Sequence, residues 1–220
     1  MKNILILSIP MVFPLLGQNL PVSWSQSYCT YDLAETHDIG QYSLGFGIDN
    51  YCIFSRVGDT TAFDERRFDI FAKLGVLKNA ELEVKYSYPT AGVVAVKYRF
   101  YENFLHAALK FGIGYMKGTR TGYITDYVFD FYPTLIFSKN MYRKINIYFA
   151  PKLIYSIHPR DRQEHSLREP THIFHYGFGL GMAFGDRFRI LPEINWLYGS
   201  VNETDFIISQ FGIGLDLLIN

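Results

Sequence analysis

The amino-acid sequence predicts an all-β fold: a closed antiparallel transmembrane β-barrel of about ten strands, with eight or twelve as the alternatives. Ten segments alternate between apolar residues and small or polar ones, as a strand does when one of its faces is apolar. The apolar face of these segments carries no charge. The connections between the segments are alternately short and long, as in barrels that cross a membrane.

The last segment, residues 206–220, shows the alternation most clearly. Every second residue from Phe211 to Ile219 is large and apolar, and the residues between them are small, acidic or apolar (Gly212, Gly214, Asp216, Leu218). Bacterial outer-membrane β-barrels characteristically finish on such a strand, and the chain resembles small porin-like members of that superfamily over about residues 39–220. The resemblance implies a bacterial outer-membrane location and specifies no ligand or activity.

The other predicted strands show the same two faces. The first two are expected at residues 39–53 and 67–77, and eight more follow. We expect one set of side chains to face lipid (Phe46, Phe111, Phe178, Leu215) and another to face the lumen (Lys73, Glu83, Lys110, Asp216). Pro133 and Pro151 interrupt the sixth and seventh strands, where they predict a bend or bulge because proline donates no ladder hydrogen bond.

The connections predict the orientation of the barrel. Those after the even-numbered strands are mostly short, whereas longer ones are expected around residues 56–65, 116–125, 158–171 and 199–205, with a short exception at 89–92. Short periplasmic turns and long external loops are typical of outer-membrane barrels. In lipid the sheet must close, since unpaired backbone groups at an open edge cost several kcal/mol each.

Composition limits the alternatives. The chain has 220 residues, zero formal net charge and 17% aromatic residues. The length suits one barrel domain, and the neutral charge argues against binding to nucleic acid, which requires a basic face. A soluble β-sandwich also alternates, but its outer face should carry charges.

The N-terminus predicts export. Residues 1–17 form a signal peptide, with Lys2 before a thirteen-residue apolar run at 4–16 and Gly17 at the cleavage point. We expect residues 18–38 to be a periplasmic lead-in and residues 39–220 to be the barrel. A mobile terminus is favoured for the lead-in over a plug or a partner-binding tail.

The inward faces predict a network of balanced charges. Its acidic members are Asp49, Asp69, Glu81, Glu83, Asp130, Glu193 and Asp216, and its basic members are Lys73, Lys85, Lys97, Arg99, Lys110, Lys152 and Arg189. We expect Glu83 to lie opposite Lys97 or Arg99. Because a barrel of about ten strands has little room inside, the network favours an ion-paired, mostly closed lumen over a narrow polar conduit.

Six tyrosines predict an aromatic belt at the external membrane interface. They are Tyr88, Tyr115, Tyr127, Tyr155, Tyr176 and Tyr198, each outward-facing near the external end of its strand. An amphipathic ring suits the headgroup region.

Candidate chemistry is sparse. Polar residues on the predicted external side form no recognisable catalytic or metal-binding signature (Asp126, His158, Asp161, His165, His172, Asp205). We therefore predict no catalytic residue, cofactor or metal. Cys29 and Cys52 are expected to be free thiols, because about 13 strand residues separate them unless the lead-in folds back through the lumen.

The function predicted first is that of a non-enzymatic outer-membrane barrel with an envelope-structural or surface-interaction role. A narrow pore or transporter for small solutes is the first alternative. A protease or lipid-modifying hydrolase at the rim is the second. The partners expected are outer-membrane lipid and either an unknown surface partner or a small solute, with no nucleic acid, and the chain is expected to be a monomer.

Overall fold

The chain forms ten strands connected in sequence order. The structure, a computed structural model, describes residues 28–55, 63–88, 91–116, 128–158, 171–201 and 204–219. The strands are β1 (Tyr42–Ser55), β2 (Phe63–Leu77), β3 (Ala80–Tyr88), β4 (Ala91–Glu102), β5 (His106–Met116), β6 (Val128–Tyr142), β7 (Ile145–His158), β8 (Thr171–Phe184), β9 (Phe188–Val201) and β10 (Thr204–Ile219). In the described ranges no helix is long and apolar enough to cross a bilayer. The predicted signal peptide lies outside these ranges.

The sheet closes on itself, as predicted. Every strand pairs antiparallel with its sequence neighbours, and β1 also pairs with β10, with Tyr42 opposite Ile219 and Ser55 opposite Phe206. This closing seam pairs the strand edges that an open sheet would leave exposed to lipid. The fold prediction of a ten-stranded closed barrel is confirmed.

The two ends of the barrel differ in their connections. The turn end holds the short connections between β2 and β3, β4 and β5, β6 and β7, and β8 and β9, together with the start of β1 and the end of β10. The opposite end, called the loop end below, holds the connections that include residues 56–62, 117–127 and 159–170. The loop expected at 199–205 is mostly strand, because β9 runs to Val201 and β10 begins at Thr204.

The two faces of the wall are inverted relative to a water-soluble protein. Large apolar side chains point outward and are exposed, for example Phe46 at 39% and Phe111 at 46%. Charged side chains point inward, where Lys73, Lys97 and Asp216 are almost completely buried. The side chains lie on the predicted faces of the strands: Phe178 also points outward, and Glu83 and Lys110 point inward.

The N-terminal segment differs from its prediction. Residues 28–38 were expected in a periplasmic lead-in, but they lie inside the barrel and form what we call the plug segment. Tyr28 packs against Ile154, Ile173 and Phe206 toward the loop end, and His37 contacts Glu81 at the turn end. The plug segment therefore runs from the loop end to the turn end before β1 turns back.

The prolines of β6 and β7 interrupt the ladder without shifting it. Phe131 lies opposite Tyr155, Thr134 opposite Lys152 and Phe137 opposite Phe149, so one register continues past Pro133 and Pro151. The bulge predicted at the prolines is therefore misplaced. The register shift between β6 and β7 falls between Asn140 and Tyr142, beside the hairpin turn, where strain is easily absorbed.

The lipid-facing belt predicts a depth-dependent response to charge. Val96 is an exposed outward residue in the middle of β4, and Phe104 lies in the β4–β5 turn. Val96→Arg should lower the unfolding free energy in phospholipid vesicles by about 2–4 kcal/mol, whereas Phe104→Arg should cost about 0–1 kcal/mol. Urea titrations followed by tryptophan fluorescence measure both. Equal costs would contradict the assigned membrane position of the belt.

Candidate functional site

The lumen collects the charged side chains that the sequence predicted for it. Twelve of the fourteen are buried, and Arg99 and Arg189 are half-buried. Arg189 forms an ion pair with Asp216, its partner in the β9–β10 register. The strands thus place these groups on one enclosed surface, where the low polarity of the surroundings makes pairing necessary.

Asp32 of the plug segment is the centre of this network. Its carboxylate lies 2.9 Å from Lys97 Nζ, 3.1 Å from Lys73 Nζ and 3.5 Å from Lys110 Nζ. Burial disfavours the charged form of the Asp32 carboxyl, and these three lysines compensate for the loss of water around it. One plug carboxylate therefore joins three different strands of the wall.

Lysines of the wall also bind the backbone of the plug segment. Lys73, Lys85 and Lys97 donate hydrogen bonds to the carbonyl oxygens of Tyr31, Cys29 and Leu33 at 2.8, 3.2 and 3.0 Å. Lys152 donates to the Tyr28 carbonyl at 2.6 Å. An irregular buried segment needs partners for its backbone groups, and here lysine side chains supply them instead of a neighbouring strand.

Glu193 on β9 binds backbone N–H groups of the plug segment. Its carboxylate accepts hydrogen bonds from the backbone N–H groups of Thr30 and Tyr31, each at 2.8 Å, and from the Tyr148 hydroxyl at 2.8 Å. Lys152 Nζ lies 3.5 Å from the same carboxylate. The backbone N–H groups of Thr30 and Tyr31 therefore both have an acceptor on the wall.

Glycines of β1 and β10 make room for the ring of Tyr31. A Cβ atom at Gly47, Gly212 or Gly214 would lie 2.6, 2.1 or 2.8 Å from Tyr31 side-chain atoms. The ring stacks on Phe71 with 6.0 Å between centroids. Tyr31 also adopts a left-handed backbone conformation with a φ of 44°, which a non-glycine residue keeps only where its surroundings hold it.

The predicted partner of Glu83 is wrong. The structure sets Ser87 opposite Ala91, so Glu83 faces Ala95 and Glu81 faces Lys97. The β3–β4 pairing is thus centred at residue 89 and not at residues 90–91, and every cross-strand pair moves. Glu83 instead pairs with Lys110 on β5 at 2.5 Å. Arg99 pairs with Glu102 at 3.0 Å.

The predicted tyrosine belt lies on the outer face where the structure describes it. Tyr88, Tyr115, Tyr155 and Tyr176 are exposed and Tyr198 is half-buried, while Tyr127 lies outside the described residues. The rings of Tyr176 and Tyr198 are 5.2 Å apart, and Tyr115 packs against Phe129 at 5.4 Å. That all six form one interfacial ring stays a prediction.

Cys29 and Cys52 are not joined in a disulfide, and the predicted route of the chain between them was wrong. Cys29 is buried in the lumen, where Asn195 Nδ2 donates to its sulfur at 3.2 Å. Cys52 lies on β1, opposite Ser209 of β10. The lead-in does fold back through the lumen, but it does not bring the two sulfurs together in a disulfide.

The rim residues form no reactive arrangement where they are described. His172 Nδ1 lies 2.7 Å from the Tyr155 hydroxyl, and its ring stacks on that tyrosine. Asp126, Asp161 and His165 lie outside the described ranges, as does the side chain of His158. Across the part of the chain that the structure describes, no group of three or more His, Cys, Asp or Glu side chains could hold a metal ion.

A closed barrel with an apolar belt around the middle of its outer face and buried charges inside is suited to hydrocarbon surroundings and not to water. The chain is a closed antiparallel β-barrel of the transmembrane type. No family model matches it, and no curated protein matches it in sequence.

The barrel is similar to several solved structures, all at low sequence identity. Neisserial surface protein A is 10% identical, with a TM-score of 0.45 over 80% of this chain and 96% of that one. Ail, the attachment invasion locus protein of Yersinia pestis, is 11% identical, with a TM-score of 0.33 over 81% and 99%. The N-terminal β-barrel domain of Pseudomonas aeruginosa OprF is 12% identical, with a TM-score of 0.34 over 81% and 99%.

The Glu83–Lys110 pair predicts a specific rescue. Glu83→Gln leaves a buried lysine underpaired, so it should lower barrel stability by about 3–5 kcal/mol. Adding Lys110→Met should recover part of this loss, because it removes the underpaired charge. Adding Lys97→Met should recover none, since Lys97 pairs with Asp32 and Glu81. Urea midpoints in detergent test this, and equal rescue by both methionine variants would contradict the pairing.

Proposed function

We propose that this protein is a non-enzymatic outer-membrane barrel with an envelope-structural or surface-interaction role, and that its lumen is kept closed by its own plug segment. The observation that carries the proposal is the position of residues 28–38 inside the wall, with Asp32 contacting lysines of β2, β4 and β5. A segment bound in this way blocks the route that water or a solute would take.

The packing between the plug segment and the wall supports closure. A cavity of about 20 Å³ remains between Cys29, Lys85, Lys110 and Lys152, which is room for about one water molecule. Opening a wider path would separate buried ion pairs, each of which leaves an uncompensated charge when broken. A filled lumen makes the barrel rigid, and a rigid barrel is a suitable support for loops that meet a partner outside the cell.

A gated pore is the second candidate. The plug segment is held by hydrogen bonds, ion pairs and packing, and its Cys29 forms no disulfide with Cys52 of β1. If it left the lumen, Lys73, Lys97 and Lys152 would lose plug partners and face open space. Such a conduit would be polar with no single sign of charge, because the seven acidic and seven basic side chains of the network would all line it.

The plug is tested by displacing Tyr31. Gly212→Val places a side chain 2.1 Å from the Tyr31 hydroxyl and 2.8 Å from Cys29 Sγ, whereas Gly92→Val meets nothing within 4 Å. In a Cys52→Ser background, Cys29 should resist a water-soluble maleimide in the parent protein and in Gly92→Val, and it should react in Gly212→Val. Heat-modifiable migration on gels shows that each variant is a folded barrel.

Conductance in planar bilayers separates the two candidate functions. The closed-barrel proposal expects the parent and Gly92→Val to show little or no conductance, while Gly212→Val should open ion-conducting steps. Steady ohmic conductance from the parent protein would overturn closure and establish the pore. Rapid maleimide labelling of Cys29 in the folded parent would show that the plug segment does not occupy the lumen.

A further inference from the structure

The wall of the barrel has a weak point between β6 and β7. Pro133 and Pro151 both point outward there, and neither can donate a ladder hydrogen bond. The paired positions resume at Thr134 opposite Lys152, between the two prolines, and again at Phe137 opposite Phe149. At mid-height of these two strands the wall is therefore held by fewer backbone hydrogen bonds than the register would allow.

A groove lies over this weak point on the outer face. Its volume is about 670 Å³, and its lining is almost wholly apolar. The register explains its shape, because Leu109 lies opposite Leu135, Pro151 opposite Phe178, and Phe178 opposite Trp196. The compact proline rings sit in the middle of this row, with larger side chains on both sides, so the surface is recessed where the prolines lie.

The floor of the groove reaches through the gap toward the lumen. Thr134, Lys152 and Gly177 line it, although all three belong to the inward face of their strands. Lys152 is the same residue that donates to the Tyr28 carbonyl of the plug segment. The groove and the plug are therefore separated by a single layer of side chains.

We propose that this groove binds one acyl chain of a bilayer lipid. Its middle part, around Pro133, Pro151 and Phe178, lies at mid-height of the wall, where the surrounding medium is hydrocarbon, and it extends toward the loop end as far as Tyr176 and Tyr198. Water would find almost no hydrogen-bond partners on the apolar lining, and an empty groove would forfeit dispersion contacts. Its volume falls in the range of small-molecule binding sites, and the walls enclose a chain on more sides than a smooth barrel surface does.

The bound chain has a structural effect at this position. It covers the strand pair whose ladder is incomplete. It also packs over the wall that holds Lys152 against the plug segment. Lipid occupancy of the groove and retention of the plug are thereby coupled through one side chain.

Trp196 lines the groove and reports on its occupant. Trp24→Phe removes the other of the two tryptophans in the chain. The barrel in detergent, stripped of lipid, is titrated with a phosphatidylcholine brominated at mid-chain, and quenching of Trp196 fluorescence is followed. Binding in the groove should give saturable quenching at about one lipid per barrel.

Two proline variants provide the test and its control. Pro151→Phe fills the middle of the groove and should weaken the apparent lipid affinity about tenfold or more. Pro192→Phe is the matched control, since Pro192 also lies on the outward face, on β9, but not in the groove, and it should leave the quenching curve unchanged. Gel migration confirms that both variants are folded.

The outcomes separate the proposal from its rivals. Quenching that rises without saturation and is equal in Pro151→Phe and the parent would show ordinary contact with surrounding lipid and would overturn the site. A free brominated fatty acid that saturates the signal at lower concentration than the phospholipid would overturn the assignment to a bilayer lipid. Loss of the saturable phase in Pro192→Phe as well would show that the response is not local to the groove.

Discussion

The contact between Asp32 and three lysines of the wall is the interaction on which the lumen depends. Lys73, Lys97 and Lys110 come from β2, β4 and β5, so one carboxylate fixes both the plug segment and the mutual spacing of those strands. Buried lysines without such a partner would carry a large desolvation cost. The other contacts of the plug, including those of Glu193 with Thr30 and Tyr31, extend the same arrangement around the barrel.

The strands and their faces could be predicted from sequence because they are local properties. Alternation with period two needs no knowledge of distant residues, and an uncharged face in ten segments implies a shared apolar environment. Which residues face each other across neighbouring strands depends on residues further apart in the sequence. The predicted partner of Glu83 depended on where the β3–β4 hairpin turns, and an error of a few residues placed Lys97 or Arg99 opposite Glu83 where the structure has Ala95. The ion-pair partner, Lys110, lies one strand further away, on β5.

The plug segment could not be predicted in the same way. Residues 28–38 have no hydrophobic period, and their partners are far away in sequence: Lys73 is 41 residues from Asp32, and Glu193 is 163 from Thr30. One signal was present. Glycines recur on the inward faces of β1 and β10, and their lack of side chains creates the space that the ring of Tyr31 occupies. Inward glycines in a narrow barrel indicate that something else fills the lumen.

The position of Tyr31 beside the β1–β10 seam has a consequence for the order of assembly. Gly47 belongs to β1, while Gly212 and Gly214 belong to β10, which follows the other nine strands in chain order. The ring is therefore enclosed by the two strands whose pairing completes the cylinder. If the sheet wraps around the plug segment, the ring of Tyr31 is enclosed as the barrel closes. If the plug segment instead entered a barrel that was already closed, Asp32 would have to pass lysines that had already formed other pairs. Pairing of β1 with β10 therefore closes the barrel and encloses the Tyr31 ring in the same step.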